Sequence, residues 1–340
     1  MVNLTIDEVA KLAHVSRSVV SRVLNNHPGV SDSAKKRVLR VVEKYKYLPN
    51  SVARSLATKN TYEIGLFTTR RRTEELGSGF WTLIHLGIFD ECIRQGYFVR
   101  LSFISPLIKS DLHKFILNAH RLDGVILLTQ ESTDIAMDAL DEREIPTVIE
   151  GHNPKFPNVS SIDVDNFSGS YKATSYLISL GHRKIGAMFA NLDMQESVER
   201  LNGYKKALND AGIRVNKKYI AIGDYSQKFG FKTIQRWLAK GVNISAVFCA
   251  SDTLAMGALL ALHEAKVKVP ETISIIGFDD LPISQYTIPP LTTIKQPIYG
   301  KGKRLAQLLI NQIKDNKNET IHENLTPTLV IRESCSKFNA

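Results

Sequence analysis

The sequence predicts a small all-α headpiece followed by an α/β body of two doubly wound parallel-sheet subdomains. Three observations carry that expectation. Near the N-terminus, apolar residues recur at helical spacing in three successive segments. From residue 63 the texture changes to short β-rich runs alternating with helical stretches, the pattern of parallel sheets with helices on both faces. The alternation is long enough for two sheets with a break near residues 159–165, and 340 residues is long for one domain.

In the first segment, Ile6, Val9, Ala10 and Ala13 form one apolar stripe, and Thr5 with Glu8 three residues later makes a capping box that sets its start. After a break at His14 and Val15, Ser16 is placed to cap a second helix. Its Val20, Val23 and Leu24 point inward, while Arg17, Ser18, Ser21, Arg22 and Asn25 offer solvent a cationic, hydrogen-bonding face. Two helices joined by so short a turn fit the helix-turn-helix arrangement, in which the second helix enters the major groove. On pattern alone a plain helical hairpin remains open. Ser31 caps a third helix in which Val38, Val41, Val42 and Tyr45 would close the headpiece and Lys35, Lys36, Arg37, Arg40 and Lys44 face outward. Pro49 ends it, and Asn50 can cap a helix of about eight residues, 51–58, with Val52, Ala53 and Leu56 on one side. So short a helix is marginal in water and folds only against something.

Charge follows the same division. Residues 1–60 hold eleven Lys and Arg against four Asp and Glu, a balance of +7 out of the chain's +10. That concentration is the electrostatic footprint of a nucleic-acid-binding module, whose phosphate contacts release counterions.

In the body, strands are expected at 63–69, 97–103, 123–128, 146–150, 160–164, 184–189, 246–250 and 274–278. Residues 291–296, a helix from about 299 to 314, and residues 328–333 remain to complete the sheets. Cys92, Cys249 and Cys335 lie far apart in apolar runs and suggest neither disulfides nor zinc, which points to a reducing cytoplasm. No apolar run reaches the roughly 18 residues that span a membrane, and the N-terminus lacks a signal-peptide pattern. There is no GxSxG, HExxH or helix-opening GxGxxG; GKGK at 300–303 lacks the strand and the Ser or Thr of a phosphate loop, and HRLDG at 120–124 resembles a kinase loop only superficially. No enzyme activity, cofactor or metal is expected.

TIDEVAKLAHVSRSVVSRVLNN and YLPNSVARSLATK resemble the N-terminal region of the LacI/GalR family of bacterial transcription regulators. DNFSGSYKATSYLISLGHRKIG, RLNGYKKAL, ASDTLAMGALLAL and IIGFDDLPISQYTIPPLTTIKQP extend the resemblance into the body, so that it covers about residues 2–335. It implies a periplasmic-binding-protein-like body in which the chain crosses between subdomains three times. The implied domains are 1–48 (headpiece), 49–60 (hinge) and 61–340 (body), with an N-subdomain of about 61–161 and 293–323 and a C-subdomain of about 162–292 and 324–335.

The resemblance also implies roles. Thr5, Ser16, Arg17, Ser18, Ser21, Arg22 and Asn25 would contact DNA. The hinge helix would pair with its dimer mate, Leu56 wedging into the minor groove beside Val52 and Ala53; packing of Leu56 on the body is the plainer alternative. Ligands of open parallel sheets lie beyond the strands' carboxyl ends. There Arg200 and Asp279 would bond a small-molecule effector, Tyr225 would stack on it, and Phe80, Trp81, Ser251 and Gln296 would complete the cleft. An arginine fork, a carboxylate and an aromatic face suit a sugar, although the same residues could be an ordinary ion pair and core aromatics. Four positions depart from the family pattern. Ser251 replaces an asparagine, with capping of the next helix together with Asp252 as its plainer role, Ile298 stands where some relatives have an aromatic, Val19 replaces a threonine, and His14 replaces a glycine at a turn where positive φ is tolerable for His. Arg70, Arg71 and Arg72 are expected in a cleft-side loop, either solvated or drawing in an anionic ligand such as a sugar phosphate.

The expected function is a cytoplasmic, homodimeric repressor of sugar uptake or catabolism genes that reads double-stranded DNA at a near-palindromic operator and is switched by a sugar, with no membrane partner. The alternatives are a sugar-binding protein of a transport system, an enzyme fused to a DNA-binding domain, and a global regulator switched by a protein partner. Arg17→Ala or Arg22→Ala should relax sequence preference by about 1 to 3 kcal/mol, the worth of a bidentate arginine–guanine contact. Lys36→Ala should weaken all DNA alike, and parallel titrations on specific and random duplexes separate the two behaviours.

Overall fold

A computed structural model of the chain describes residues 4–24, 28–47, 60–69, 79–104, 122–128, 137, 140, 144–315 and 319–338. Asn25, the hinge residues Val52, Ala53 and Leu56, and Arg70 to Arg72 lie outside these residues. The chain divides into two compact units, residues 1–61 and 62–340.

The first unit holds α1 (Ile6–Ala13), α2 (Arg17–Leu24) and α3 (Asp32–Tyr45). The capping box forms: the Glu8 N–H donates to Thr5 Oγ1 at 3.3 Å and the Thr5 N–H to Glu8 Oε2 at 2.6 Å. His14 ends α1 in the left-handed conformation, φ 50°, where its N–H meets carbonyls of the last turn. Val9, Ala10 and Ala13 pack with Val20, Val23 and Val38. One expectation fails at the end of α3. Tyr45 is 41% exposed, and Tyr47 closes the core instead. The reason is the helix stop: Lys46 takes φ 49°, turning the chain so that Tyr47 folds inward and its N–H reaches Val42 O at 2.9 Å. Arg37, expected only to decorate the surface, also donates through Nε to Ala13 O at 3.1 Å, meeting a carbonyl that α1 leaves unpaired at its end.

The second unit contains β1 (Glu63–Thr69), α4 (Phe80–Arg94), β2 (Phe98–Ile104), β3 (Gly124–Leu128), β4 (Thr147–Glu150) and β5 (Ser160–Val164). It continues with α5 (Asn166–Ser179), β6 (Ile185–Ala190), α6 (Gln195–Asp210), β7 (Ile220–Gly223), α7 (Gln227–Ala239), β8 (Ala246–Cys249) and α8 (Asp252–Glu264). It ends with β9 (Ser274–Asp279), β10 (Thr292–Lys295), α9 (Ile298–Asp315), β11 (His322–Leu325) and β12 (Thr328–Val330). Two six-stranded sheets result, in the orders β11-β5-β4-β3-β1-β2 and β12-β10-β9-β8-β6-β7. The pairing of β10 with β12 is antiparallel and every other pairing is parallel.

The chain passes between sheets after β5, after β10 and after β11. The passages follow Val164, Lys295 and Leu325, beside the approximate divisions expected near 161/162, 292/293 and 323/324, because a crossing occupies a loop and does not interrupt a paired strand. Thus β5 stays whole in the first sheet, β10 in the second, and β11 in the first. Strands β7 and β11 were not expected. IAIG and HENL are four residues each and show no clear period; each lies at a sheet edge, held by pairing with β6 or β5.

Each sheet is apolar on both faces, as a layer covered by helices must be. In β1 and β3, Leu66, Ile126 and Leu128 join the cluster that includes Ile84 and Leu305, while Phe67, Val125 and Leu127 join another on the opposite face. Helices α4 and α9 approach so closely that a Cβ on Gly302 would stand 2.1 Å from Ile84 O, and one on Gly87 2.1 Å from Tyr299 O. Gly302, inside the GKGK run, is therefore a packing residue. Gly302→Ala should destabilise the protein by about 1 to 3 kcal/mol through overpacking, measurable as a fall in the denaturant midpoint.

Candidate functional site

Apart from Glu91, which pairs with Arg94 late in α4, the body's buried charges lie near strand ends or in the first turns of helices. In the second subdomain, β9 runs into Asp279, β8 is followed by Ala250, Ser251 and Asp252, β7 leads to Tyr225, and the first turns of α6 carry Glu196 and Arg200 one turn apart. In the first, β4 ends at Glu150, β5 carries Asp163, α9 brings Lys301 and α4 opens with Phe80.

Arg200 is 6% exposed. Its Nε donates to Asn166 Oδ1 at 2.8 Å and its Nη1 to Ala250 O at 2.5 Å. The guanidinium carbon lies 3.9 Å from the Phe278 ring centroid and 5.8 Å from that of Tyr225. The Tyr225 hydroxyl lies 3.3 Å from Ser197 Oγ. Asp279 holds φ 128°, a conformation rare for anything but glycine, and two contacts from Gln296 secure it. The Gln296 Nε2 donates to Asp279 Oδ1 at 2.6 Å and its backbone N–H to Asp279 O at 3.2 Å. The structure thus brings Arg200, Tyr225, Asp279 and Gln296 together.

Ser251 is spent on a cap: its Oγ accepts from the Leu254 N–H at 3.1 Å. Asp252, expected to share that task, does not. Its carboxylate accepts from the Leu281 N–H at 2.8 Å and from the Ser284 and Thr293 hydroxyls at 2.5 Å each. Phe80 sits edge-on to Trp81 at 5.3 Å and has the Lys301 ammonium 5.3 Å from its centroid. Trp81 continues along α4 toward His85, 6.4 Å away, so of the two rings Phe80 is the one tied to the buried charges. Ile298, at the start of α9, is buried in the first subdomain's core beside Leu281.

Glu150, Asp163, Asn166, Glu196 and Lys301 were not legible as site residues. The available signal was positional: Glu150 ends a strand, Asp163 lies next to the end of one, and Glu196 precedes Arg200 by four on one helix face. Lys301 Nζ contacts Glu150 Oε1 at 2.5 Å with only 3% of the lysine side chain exposed. Burial alone would lower the Lys301 pKa, but Glu150 and Asp163 outweigh it and hold the ammonium above its usual value. Burial raises both the Asp252 and Asp279 carboxyls, which also repel each other. Donors from Ser284, Thr293 and Leu281 offset the effect at Asp252, and Arg200 and Gln296 at Asp279. Burial pushes Glu196 up to about 7, with Arg200 pulling it down and Glu150 and Asp163 pushing it further up. Among the described residues, no group of three or more His, Cys, Asp and Glu could hold a metal ion.

In the headpiece, Arg17, Ser18 and Arg22 are exposed on α2 and Ser21 is half-buried. Ser16 Oγ accepts from the Val19 N–H at 3.4 Å and lies 2.8 Å from Ser18 Oγ. Arg17 reaches Asp7 at 3.8 Å with both side chains mostly exposed, an ion pair of little strength that leaves the guanidinium available. The Thr5 hydroxyl belongs to the capping box.

Residues 5–50 match the family described as bacterial regulatory proteins, lacI family, and residues 174–335 match a periplasmic binding protein-like domain. The HTH-type transcriptional repressor PurR of Mannheimia succiniciproducens is 36% identical over 338 residues, 98% of this chain and 99% of that protein. This chain belongs to the LacI family. The HTH-type transcriptional regulator CelR of Thermobifida fusca is 33% identical over 333 residues, 97% of this chain and 98% of that one. Among solved structures, a CelR–cellobiose complex aligns with a TM-score of 0.76 at 30% identity, covering 98% of this chain and 100% of that one. A lac repressor dimer bound to operator and the anti-inducer ONPF aligns at 0.84 and 27%, with the same coverage. As a LacI-family member, the chain is a DNA-binding transcriptional regulator carrying a ligand-binding domain.

The raised Glu196 pKa has a signed consequence for stability. Below its usual value of 4.5 the group is protonated whether folded or unfolded; between there and about 7 the unfolded chain releases the proton first, so stability is lost as pH rises. Glu196→Gln removes that loss. The variant should melt above the parent at pH 8, with the gain shrinking towards pH 5, as thermal scans across the range would record.

Proposed function

We propose that this regulator is a homodimeric, cytoplasmic repressor of sugar uptake or catabolism genes, and that its effector is a polyhydroxylated small molecule bound in the cleft of the body. The observation that carries the reading is the joint burial of Arg200, Asp279 and Gln296 at the carboxyl end of β9, beside the ring of Tyr225. A guanidinium, a carboxylate and a carboxamide together offer donors and acceptors in the mixture that vicinal hydroxyls need, and the Tyr225 face covers a C–H surface. Phe80 and Lys301 complete the opposite wall, while Ser251, engaged as a cap, is left out.

The headpiece, about residues 1–48, reads a near-palindromic operator through Arg17, Ser18, Ser21 and Arg22, with Thr5, Ser16 and Asn25 at its margins. Two-fold symmetry of a dimer would impose two-fold symmetry on the site. The hinge, 49–60, couples the two functions: a helix of about eight residues is stable only when paired, so a change in subdomain angle that separates the pair releases DNA. Couplings of this kind are worth about 1 to 3 kcal/mol and need an effector that binds the two states unequally.

A purine is the competing effector, because several relatives of 31–36% identity are PurR repressors. Thermal melting against neutral sugars, sugar phosphates and nucleobases decides. A ligand at 100 times its Kd adds about 2.7 kcal/mol, a shift of several degrees for domains of this size. A sugar hit abolished by Arg200→Ala or Asp279→Asn is expected. A response confined to nucleobases would replace the sugar reading, and silence across the panel would favour a protein partner.

A further inference from the structure

The cleft holds more buried negative charge than its own cations match. Five carboxyl groups, Glu150, Asp163, Glu196, Asp252 and Asp279, stand against Arg200 and Lys301, and burial raises three of them, Glu196, Asp252 and Asp279, as expected where positive charge is short. Lys301 is committed to Glu150 at 2.5 Å. The hydrogen bonds of Arg200 go to two neutral oxygens, Asn166 Oδ1 and Ala250 O, and not to a carboxylate. Asp163 accepts from the His152 and Val164 N–H groups and from Asn166 Nδ2, so the chain itself supplies its donors. Asp252 is equally provided for by Leu281, Ser284 and Thr293.

Glu196 is different. Its Oε2 is sealed from solvent and has no hydrogen-bond partner, while Glu150 and Asp163 face it from the other subdomain and Arg200 lies one turn along its own helix. A second, separate observation says that something polar belongs here: Gln296, 4% exposed and fixed through Nε2 to Asp279, also leaves its Oε1 without a donor. Buried acceptors without partners cost free energy, and an unmatched buried carboxylate costs more. Hydroxyl donors would satisfy the acceptors and leave the charge; an incoming phosphate would add to it. The carboxylates are not gathered as a metal site either. An ammonium brings both three donors and the missing positive charge.

We propose that the effector is cationic: a polyhydroxylated molecule bearing a protonated amine, an amino sugar by class, whose ammonium rests on Glu196 while Gln296 Oε1 and Asp279 accept from its hydroxyls. This rests on reading the cleft as the effector site. Specificity then lies in Glu196, a position that separates amine-bearing ligands from their neutral counterparts.

The test is calorimetric titration of the full-length protein at pH 7.5, above the value of about 7 to which burial pushes Glu196, with glucosamine, galactosamine, mannosamine and the disaccharide of glucosamine. Each is compared with its N-acetyl form and its parent sugar. At least one amine should bind roughly tenfold more tightly than both its neutral partners, as a charge-assisted contact provides. In Glu196→Gln, of nearly the same size, that ratio should fall towards one. Neutral sugars binding as well as the amines, or a preference that survives Glu196→Gln, would overturn the cationic effector while leaving a sugar-switched regulator in place. Binding of none of these compounds would overturn both.

Discussion

The body of this regulator is organised around the burial of one guanidinium. An arginine placed at 6% exposure is tolerable only if its donors and its charge are both answered. Asn166 answers from the start of α5, Ala250 from the turn after β8, and Phe278 from β9, whose ring lies under the guanidinium plane. Three separate elements are thereby held at one point, and the next residue along β9, Asp279, is delivered to the same place. Because Arg200 spends two donors on neutral oxygens, its positive charge remains available to the carboxylates around it. The residue is at once a structural tie and the electrostatic centre of the cleft.

Asp252 plays the complementary part with negative charge. Its three donors come from the loop after β9 and from β10, so the first turn of α8 is fastened to the segment through which the chain leaves the second sheet. The passage after β10 leads directly to α9, which carries Lys301 to Glu150 in the other subdomain. Gln296 directly follows β10, the strand before that passage, and Asp279 is paired across to Lys295 in it.

Much of the fold was written in local patterns. The capping box at Thr5 and Glu8, the αL turn at His14 and the strands 63–69 and 160–164 follow from short-range chemistry, and they formed where expected. The failures were of one kind. Tyr45 keeps perfect helical spacing and is exposed, because helix α3 ends at it and the turn at Lys46 redirects Tyr47 into the core. IAIG and HENL become strands only because an edge of an existing sheet is there to receive them.

The division recurs at the site. Sequence by itself determined the helix-turn-helix, the alternating body, and the recognisable words that contain Arg200, Asp279 and Gln296, since these depend on neighbours a few residues away. Only the tertiary structure decided that Ser251 is a cap, that Asp252 is a clamp, that Gly302 admits a helix backbone, that Lys301 pairs with Glu150, and that Glu196 feels Arg200, Glu150 and Asp163. The physical reason is that burial and charge compensation are sums over everything near a group in space. Glu196 and Glu150 are 46 positions apart in the chain, and no local pattern records that one will face the other.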